Sequence, residues 1–272
     1  MERGEAMKIL IIGGGNMGLT YAQSFLRSHI VNAKEMMILE KSPEKAEHLA
    51  QQNVGTIYSV PENCLPHADL VILAVKPQDA SDLFQSLGGR LDPQQVFLSI
   101  MAGIKTSTLR QELGIEKVIR AMPNLPAQIS MGMTVFTSSE SVTRIELVTV
   151  QNLLNTTGKT IYVEDEDLID AATAISGSGP AYVFFCMKSI MDAAKEMGFS
   201  APEAELLTWQ TFKGAVELFH KNDLTCEEWI NKVASRGGTT EAALAFFSSN
   251  SVDQNLARGA HAALQRAKEL GE

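Results

Sequence analysis

The run Gly13-Gly14-Gly15-Asn16-Met17-Gly18, set directly behind the apolar stretch Lys8–Ile12, constrains the fold more than any other feature of this chain. It fits G-x-G-x-x-G in the order strand, tight turn, helix. Gly13 permits the sharp turn, Gly15 leaves room for backbone to approach a pyrophosphate, and Gly18 lets the helix pack on the strand. The amides at the helix start then face an anion.

The downstream pattern agrees. From Lys8 to about Lys159, β-branched runs alternate with amphipathic stretches, predicting strands over Lys8–Ile12, Met36–Leu39, Leu70–Val75, Val96–Ile100 and Lys117–Ala121. Helices are predicted between them over Met17–Ser28, Pro43–Gln52, Asp79–Leu87 and Ser107–Leu113. Strands apolar on both faces need helices on both sides, which makes the sheet parallel and doubly wound, of the Rossmann type. After about Asp165 the strand signals stop, and apolar residues at three and four residue spacing predict helices over Ala181–Met197, Pro202–Phe219 and Val252–Leu270. A chain of 272 residues suits two domains. The acidic turn Glu164–Asp167 divides them into a dinucleotide-binding part, residues 1–164, and an all-helical part, residues 165–272. Met7 reads as the ancestral start, with residues 1–6 as an extension without structural duty.

Composition excludes several classes. A net charge of −9 provides no positive field for a polyphosphate, so nucleic acid is not expected as a partner. Cys64, Cys186 and Cys226 are odd in number and far apart, as reduced thiols in a cytoplasm would be. The N-terminus lacks the cleavage pattern of a signal peptide, and the apolar stretch Ala171–Met187 is broken by Gly177, Gly179 and Pro180, so no membrane span is expected. Cys64 and His67 form a lone C-x-x-H without ligand spacing elsewhere, so no metal is expected.

Glu40 stands about twenty residues beyond Gly18, where a carboxylate takes the ribose 2′-hydroxyl of NAD. Lys41 and Ser42 follow at once and offer a cation and a hydroxyl to the 2′-phosphate of NADP, so both cofactors stay open. Ala74-Val75-Lys76-Pro77 ends a strand on the ligand side of such a sheet, with Pro77 forcing Lys76 out of helical geometry. Met101-Ala102-Gly103 presents small side chains after the next strand. In the second half, Ser176-Gly177-Ser178-Gly179-Pro180 allows close backbone approach. Gly237-Gly238-Thr239-Thr240 opens the helical segment Glu241–Phe247 and predicts a nest of inward amides suited to a carboxylate, with an N-cap as the alternative role of Thr239.

Taken with Arg120-Ala121-Met122-Pro123-Asn124, these motifs occur in the order and spacing of pyrroline-5-carboxylate reductases, which the chain resembles from Met7 almost to its end. The resemblance implies reduction of 1-pyrroline-5-carboxylate, a cyclic imino acid, to L-proline with NAD(P)H, and it favours NADPH. It also implies a helical domain that binds substrate and interlocks with its twin in a homodimer, often assembled into rings of dimers, with a substrate pocket between the nicotinamide and the Gly-Gly-Thr-Thr turn built by both subunits. Carried over by position, Ile12, Gly13, Gly14, Gly15, Asn16, Met17, Ser42, Asn63, Ala74, Val75, Lys76, Pro77, Met101, Ala102 and Gly103 touch the cofactor. Glu166, Ser235, Gly237, Gly238, Thr239 and Thr240 line the substrate site, with Thr240 as the catalytic residue that hydrogen-bonds the ring nitrogen.

One position departs from the family: Arg236 stands where proline is usual. That departure keeps a second reading in view, a dinucleotide-sensing relative without turnover. A third, a β-hydroxyacid dehydrogenase, requires a catalytic lysine shortly after its glycine motif. Here Lys188 lies nine residues past Gly179, with Asp192 where that pattern has asparagine.

Overall fold

The computed structural model describes residues 7–271, so the expectation for residues 1–6 lies outside the described residues. By density of contacts these residues form two compact units, one of 7–178 with 263–271 and one of 179–262.

The first unit is built on one eight-stranded sheet. Its strands are β1 (Ile9–Ile12), β2 (Met36–Leu39), β3 (Thr56–Tyr58), β4 (Leu70–Leu73), β5 (Val96–Ser99), β6 (Val118–Met122), β7 (Gly132–Ser138) and β8 (Gly158–Tyr162), in the spatial order β3-β2-β1-β4-β5-β6-β7-β8. All neighbours pair in parallel except β6 with β7, so β7 and β8 run against the rest. The five strands expected from sequence are all present. Strands β3, β7 and β8 were not expected.

Helices cover both faces because the strands are apolar on both. Alternate residues of β1 divide between two cores: Ile9 and Ile11 pack with Tyr21 and Phe25 of α1 (Asn16–Arg27), Leu10 and Ile12 with the other face. There they meet Leu83, Phe84 and Leu87 of α3 (Ala80–Leu87), which follows α2 (Pro43–Gln51), and Leu109 and Leu113 of α4 (Thr106–Leu113). The first face is completed by Val150, Leu153 and Leu154 of α5 (Arg144–Asn155). Burial of one such side chain stabilises the fold by about 1.5–3 kcal/mol.

Beyond β8 comes α6 (Asp167–Ala172), continued by a wide π turn over Thr173–Gly177. A buried ion triad holds α6 to the sheet: Arg120 of β6 donates to Asp170 at 2.5 Å and to Glu166 at 3.0 Å, with the Arg120 side chain 1 % exposed. Asn124 ties the π turn down, donating to the Ser176 carbonyl at 3.0 Å while its own oxygen accepts from the Met133 amide at 2.8 Å. A Cβ on Gly177 would stand 2.8 Å from the end of the flexible Met122 side chain, which would have to shift.

The second unit contains α7 (Gly179–Glu196), α8 (Ala201–His220), α9 (Cys226–Val233) and α10 (Thr239–Ser249), and α11 (Val252–Glu269) begins in it. Ser200 and Thr225 start α8 and α9 with reciprocal capping to Glu203 and Glu228. Helix α7 packs on α8. Apart from Ala204 and Thr208, however, its described residues are not buried, and large apolar side chains such as Phe184, Leu207, Trp209 and Phe246 stand exposed. No helix among the described residues is long and apolar enough to cross a membrane.

Candidate functional site

The strand order reverses direction between β1 and β4, so a crevice opens at their carboxyl ends. Four turns gather there, after β1, β2, β4 and β5. The Ala74 amide donates to the Ile12 carbonyl at 2.9 Å, and the Gly13 amide donates to the Leu39 carbonyl at 3.0 Å. Gly13 has φ +103, and a Cβ on it would stand 2.8 Å from the Ala74 carbonyl oxygen. Gly18 sits so close to the Gly13 carbonyl that no side chain fits. By contrast, a Cβ on Gly15 would meet nothing within 4 Å, leaving open space above the backbone at the helix start. Gly15 is the N-cap of α1 and supplies no side-chain cap, so the first amides of α1 keep their capacity for an anion. This cradle fits a pyrophosphate.

The residues expected to touch the cofactor all lie in the sheet unit. Ile12 is buried at the end of β1, Asn16 is exposed and Met17 half-buried on the first turn of α1. Lys76 adopts the extended conformation its following proline dictates, with φ −73 and ψ 149, and Pro77 opens a single 3-10 turn before α3. Met101 is buried and Ala102 half-buried. Asn63 is exposed on a separate 3-10 turn, Pro61–Asn63, beside the buried Cys64, whose thiol burial pushes up to about 11.

Two contacts here had no signal in the sequence. The Glu40 carboxylate, almost wholly buried, accepts from the Gly14 amide at 3.0 Å and from the Ser42 amide at 2.9 Å. Ser42 in turn caps α2, its hydroxyl accepting from the Lys45 amide at 3.4 Å. The other contact joins Gly103, at φ +78, to the end of the chain, where a Cβ on Gly103 would stand 2.8 Å from the Leu270 carbonyl carbon. The last residues thus support the turn after β5. A pairing across so much sequence leaves no local pattern to read.

Of the residues expected to bind substrate, Glu166 belongs to the sheet unit. One oxygen accepts from the Thr106 amide at 2.8 Å and from Arg120 at 3.0 Å, the other from the Thr106 hydroxyl at 2.7 Å. It holds the start of α4 as well as the ion triad.

The others form a turn in the helical unit. The Gly238 amide donates to the Ser235 carbonyl at 2.9 Å, closing a four-residue turn with Gly237 at φ +72 in third position, as a type II turn requires. Proline is favoured in the second position of such turns, where this chain has Arg236. The Gly237 amide is engaged too, donating to the Glu241 carboxylate at 2.5 Å. This corrects the expectation of a nest of amides from Gly237 to Thr239, because the first two already have partners. Thr239 and Thr240 form the first turn of α10, whose N-cap, Gly238, provides no side-chain bond. Thr239 is therefore not the N-cap. The opening for a carboxylate shifts to the helix start itself.

A cleft of about 590 Å³ lies at the opposite, amino ends of the strands, lined by residues including Lys8, Asp69, Gln95 and Glu146. None of the expected site residues lines it.

Two family models match separate stretches of the chain. Residues 166–270 match a family model described as pyrroline-5-carboxylate reductase dimerisation, and residues 8–103 match one described as NADP oxidoreductase, coenzyme F420-dependent. The pyrroline-5-carboxylate reductase of Pseudomonas aeruginosa is 34% identical over 266 residues, which cover 97% of both chains. That of Haemophilus influenzae is 30% identical, over 96% of this chain and 97% of its own. Among solved structures, the Plasmodium falciparum pyrroline carboxylate reductase with NADP bound superimposes with a TM-score of 0.88 at 26% identity, covering 99% of this chain and 100% of that one. A pyrroline-5-carboxylate reductase from Coxiella burnetii gives 0.86 at 28%, covering 98% and 100%.

Proposed function

The chain belongs to the pyrroline-5-carboxylate reductase family, and from that premise we propose that it reduces 1-pyrroline-5-carboxylate to L-proline, the final step of proline biosynthesis. It is an NAD(P)-dependent oxidoreductase with a Rossmann sheet followed by helices. One observation carries the reading: the kinship runs through 97% of the chain, well beyond the glycine turn that unrelated dehydrogenases share. Residues 1–164 serve the dinucleotide, residues 165–272 the substrate and a second copy of the chain. The exposed apolar side chains of the helical unit support self-association as a homodimer, which we extend to a ring of dimers. The cytoplasm is the proposed location.

When bound, the reduced dinucleotide supplies the hydride. The task of the protein is to place the ring. In this reading the open amides of Thr239 and Thr240, at the positive end of α10, hold the substrate carboxylate, and Ser235, Gly237 and Gly238 shape the turn beneath it. The Thr240 hydroxyl bonds the ring nitrogen and so fixes which carbon faces the donor. A threonine hydroxyl is too weak an acid to protonate an imine, so the proton arrives on the substrate or through water. Glu166 steadies the α4 turn and Arg120 while remaining partly open to solvent. At the dinucleotide end, Gly13 to Gly18 receive the pyrophosphate, and Lys41, Ser42, Asn63, Ala74 to Pro77 and Met101 to Gly103 surround the rest of the cofactor.

The direct test follows dinucleotide absorbance with the purified protein and 1-pyrroline-5-carboxylate, with a β-hydroxyacid in a parallel assay. Oxidation of the reduced cofactor by the imine is the expected result. Tight dinucleotide binding with neither reaction would instead identify the sensing relative, and turnover of the hydroxyacid alone the dehydrogenase.

A further inference from the structure

The turn between β2 and α2 is built around a fixed negative charge. Glu40 is almost wholly buried at the end of β2, and its two oxygens are held by the Gly14 and Ser42 amides, at 3.0 and 2.9 Å, and by no cation among the described residues. Gly14 belongs to the pyrophosphate turn, so the carboxylate is anchored to the cofactor cradle itself. The Ser42 amide and hydroxyl lie at the start of α2, where a 2′-phosphate would seek donors. The amide is already spent on Glu40, whereas the hydroxyl accepts from the Lys45 amide and keeps its own hydrogen to donate. The one cation of the turn, Lys41, is exposed and screened by water.

Building on the oxidoreductase reading above, we propose that Glu40 makes this site selective for NADH over NADPH. A carboxylate oxygen accepts more than one hydrogen bond, so Glu40 can keep its two amides and also receive the ribose 2′-hydroxyl. A 2′-phosphate in the same place brings like charge against a buried carboxylate and finds the Ser42 amide already taken. This departs from the NADPH that the family resemblance favours. The departure resides in one side chain.

The test is equilibrium binding without imine: fluorescence titration of the full-length protein with NADH and NADPH, then calorimetry with ADP-ribose and 2′-phospho-ADP-ribose, which carry only the adenosine end. Wild type is expected to bind NADH and ADP-ribose about thirtyfold or more tightly than the phosphorylated partners. Glu40→Gln, which keeps the shape and removes the charge, is expected to bring the two within about threefold, chiefly by gain of NADPH affinity. Glu40→Ser provides a second variant should the first fold poorly. Equal or tighter binding of NADPH by wild type overturns the proposal, as does an unchanged ratio in the folded variants. Because no imine is present, a failure here leaves the reductase reading standing, and a failure of imine reduction leaves the selectivity standing.

Discussion

The two units of this chain bury their apolar residues differently. In the sheet unit, β1 and β4 are sealed on both faces, with Ile9, Leu10, Ile11, Val71 and Ile72 all fully buried by helices of the same chain. In the helical unit, α7 and α8 pair while leaving Phe184, Leu207 and Phe246 to solvent, and only Ala204 and Thr208 among its described residues are buried. A parallel sheet obtains its cover from its own crossover helices. Helices with apolar residues on several faces and few neighbours obtain theirs from another molecule, so the first unit is complete as one copy and the second is not.

The sharpest way to break that contrast begins in the sheet unit. Arg120→Met leaves Asp170 buried without its cation and should cost about 3–5 kcal/mol in urea unfolding, by an amount insensitive to protein concentration. A negligible loss would mean the triad does not hold α6 to the sheet. Next in size, Leu207→Glu in the helical unit should weaken self-association about a hundredfold, roughly 2.7 kcal/mol, as read by sedimentation. Dinucleotide affinity should stay within about twofold of wild type. Equal losses of both would join the two units into one cooperative body.

Thr240→Ala should lower the rate of imine reduction about ten- to a hundredfold with dinucleotide affinity nearly intact. Steady-state kinetics beside a binding titration separates the two, and an unchanged rate removes Thr240 from the site. Smallest of all, Arg236→Pro should raise stability by about 0.4–1 kcal/mol, because proline suits the second position of the Ser235–Gly238 turn and restricts the unfolded chain. A loss in the thermal melt would instead give Arg236 a conformation or amide contact that proline forbids.

Much of the sheet unit was legible because its signals are local. Gly13 and Gly18 each answer to a close backbone approach and Gly15 to open space above the turn, and four-residue apolar runs mark β1, β2 and β4. The strands that escaped notice lack that mark: β3 is three residues long, β7 mixes glycine, threonine and serine, and β8 is a half-exposed edge. The Gly-Gly-Thr-Thr motif was visible as residues but not as hydrogen bonds. Which amides remained open depended on Ser235 and Glu241 turning back onto the glycines.

By itself, then, the order of residues determined the things that neighbours along the chain can enforce: the tight turn after β1, the extended Lys76 before Pro77, the capped helix starts and the alternation of strand with helix. Only the tertiary structure decided which distant groups neutralise or support one another. Arg120 with Asp170, Glu40 with the Gly14 amide and Gly103 with Leu270 just beyond α11 are meetings of this kind. Short-range sterics act on every chain conformation, whereas the partner of a buried charge is chosen when folding excludes water from both.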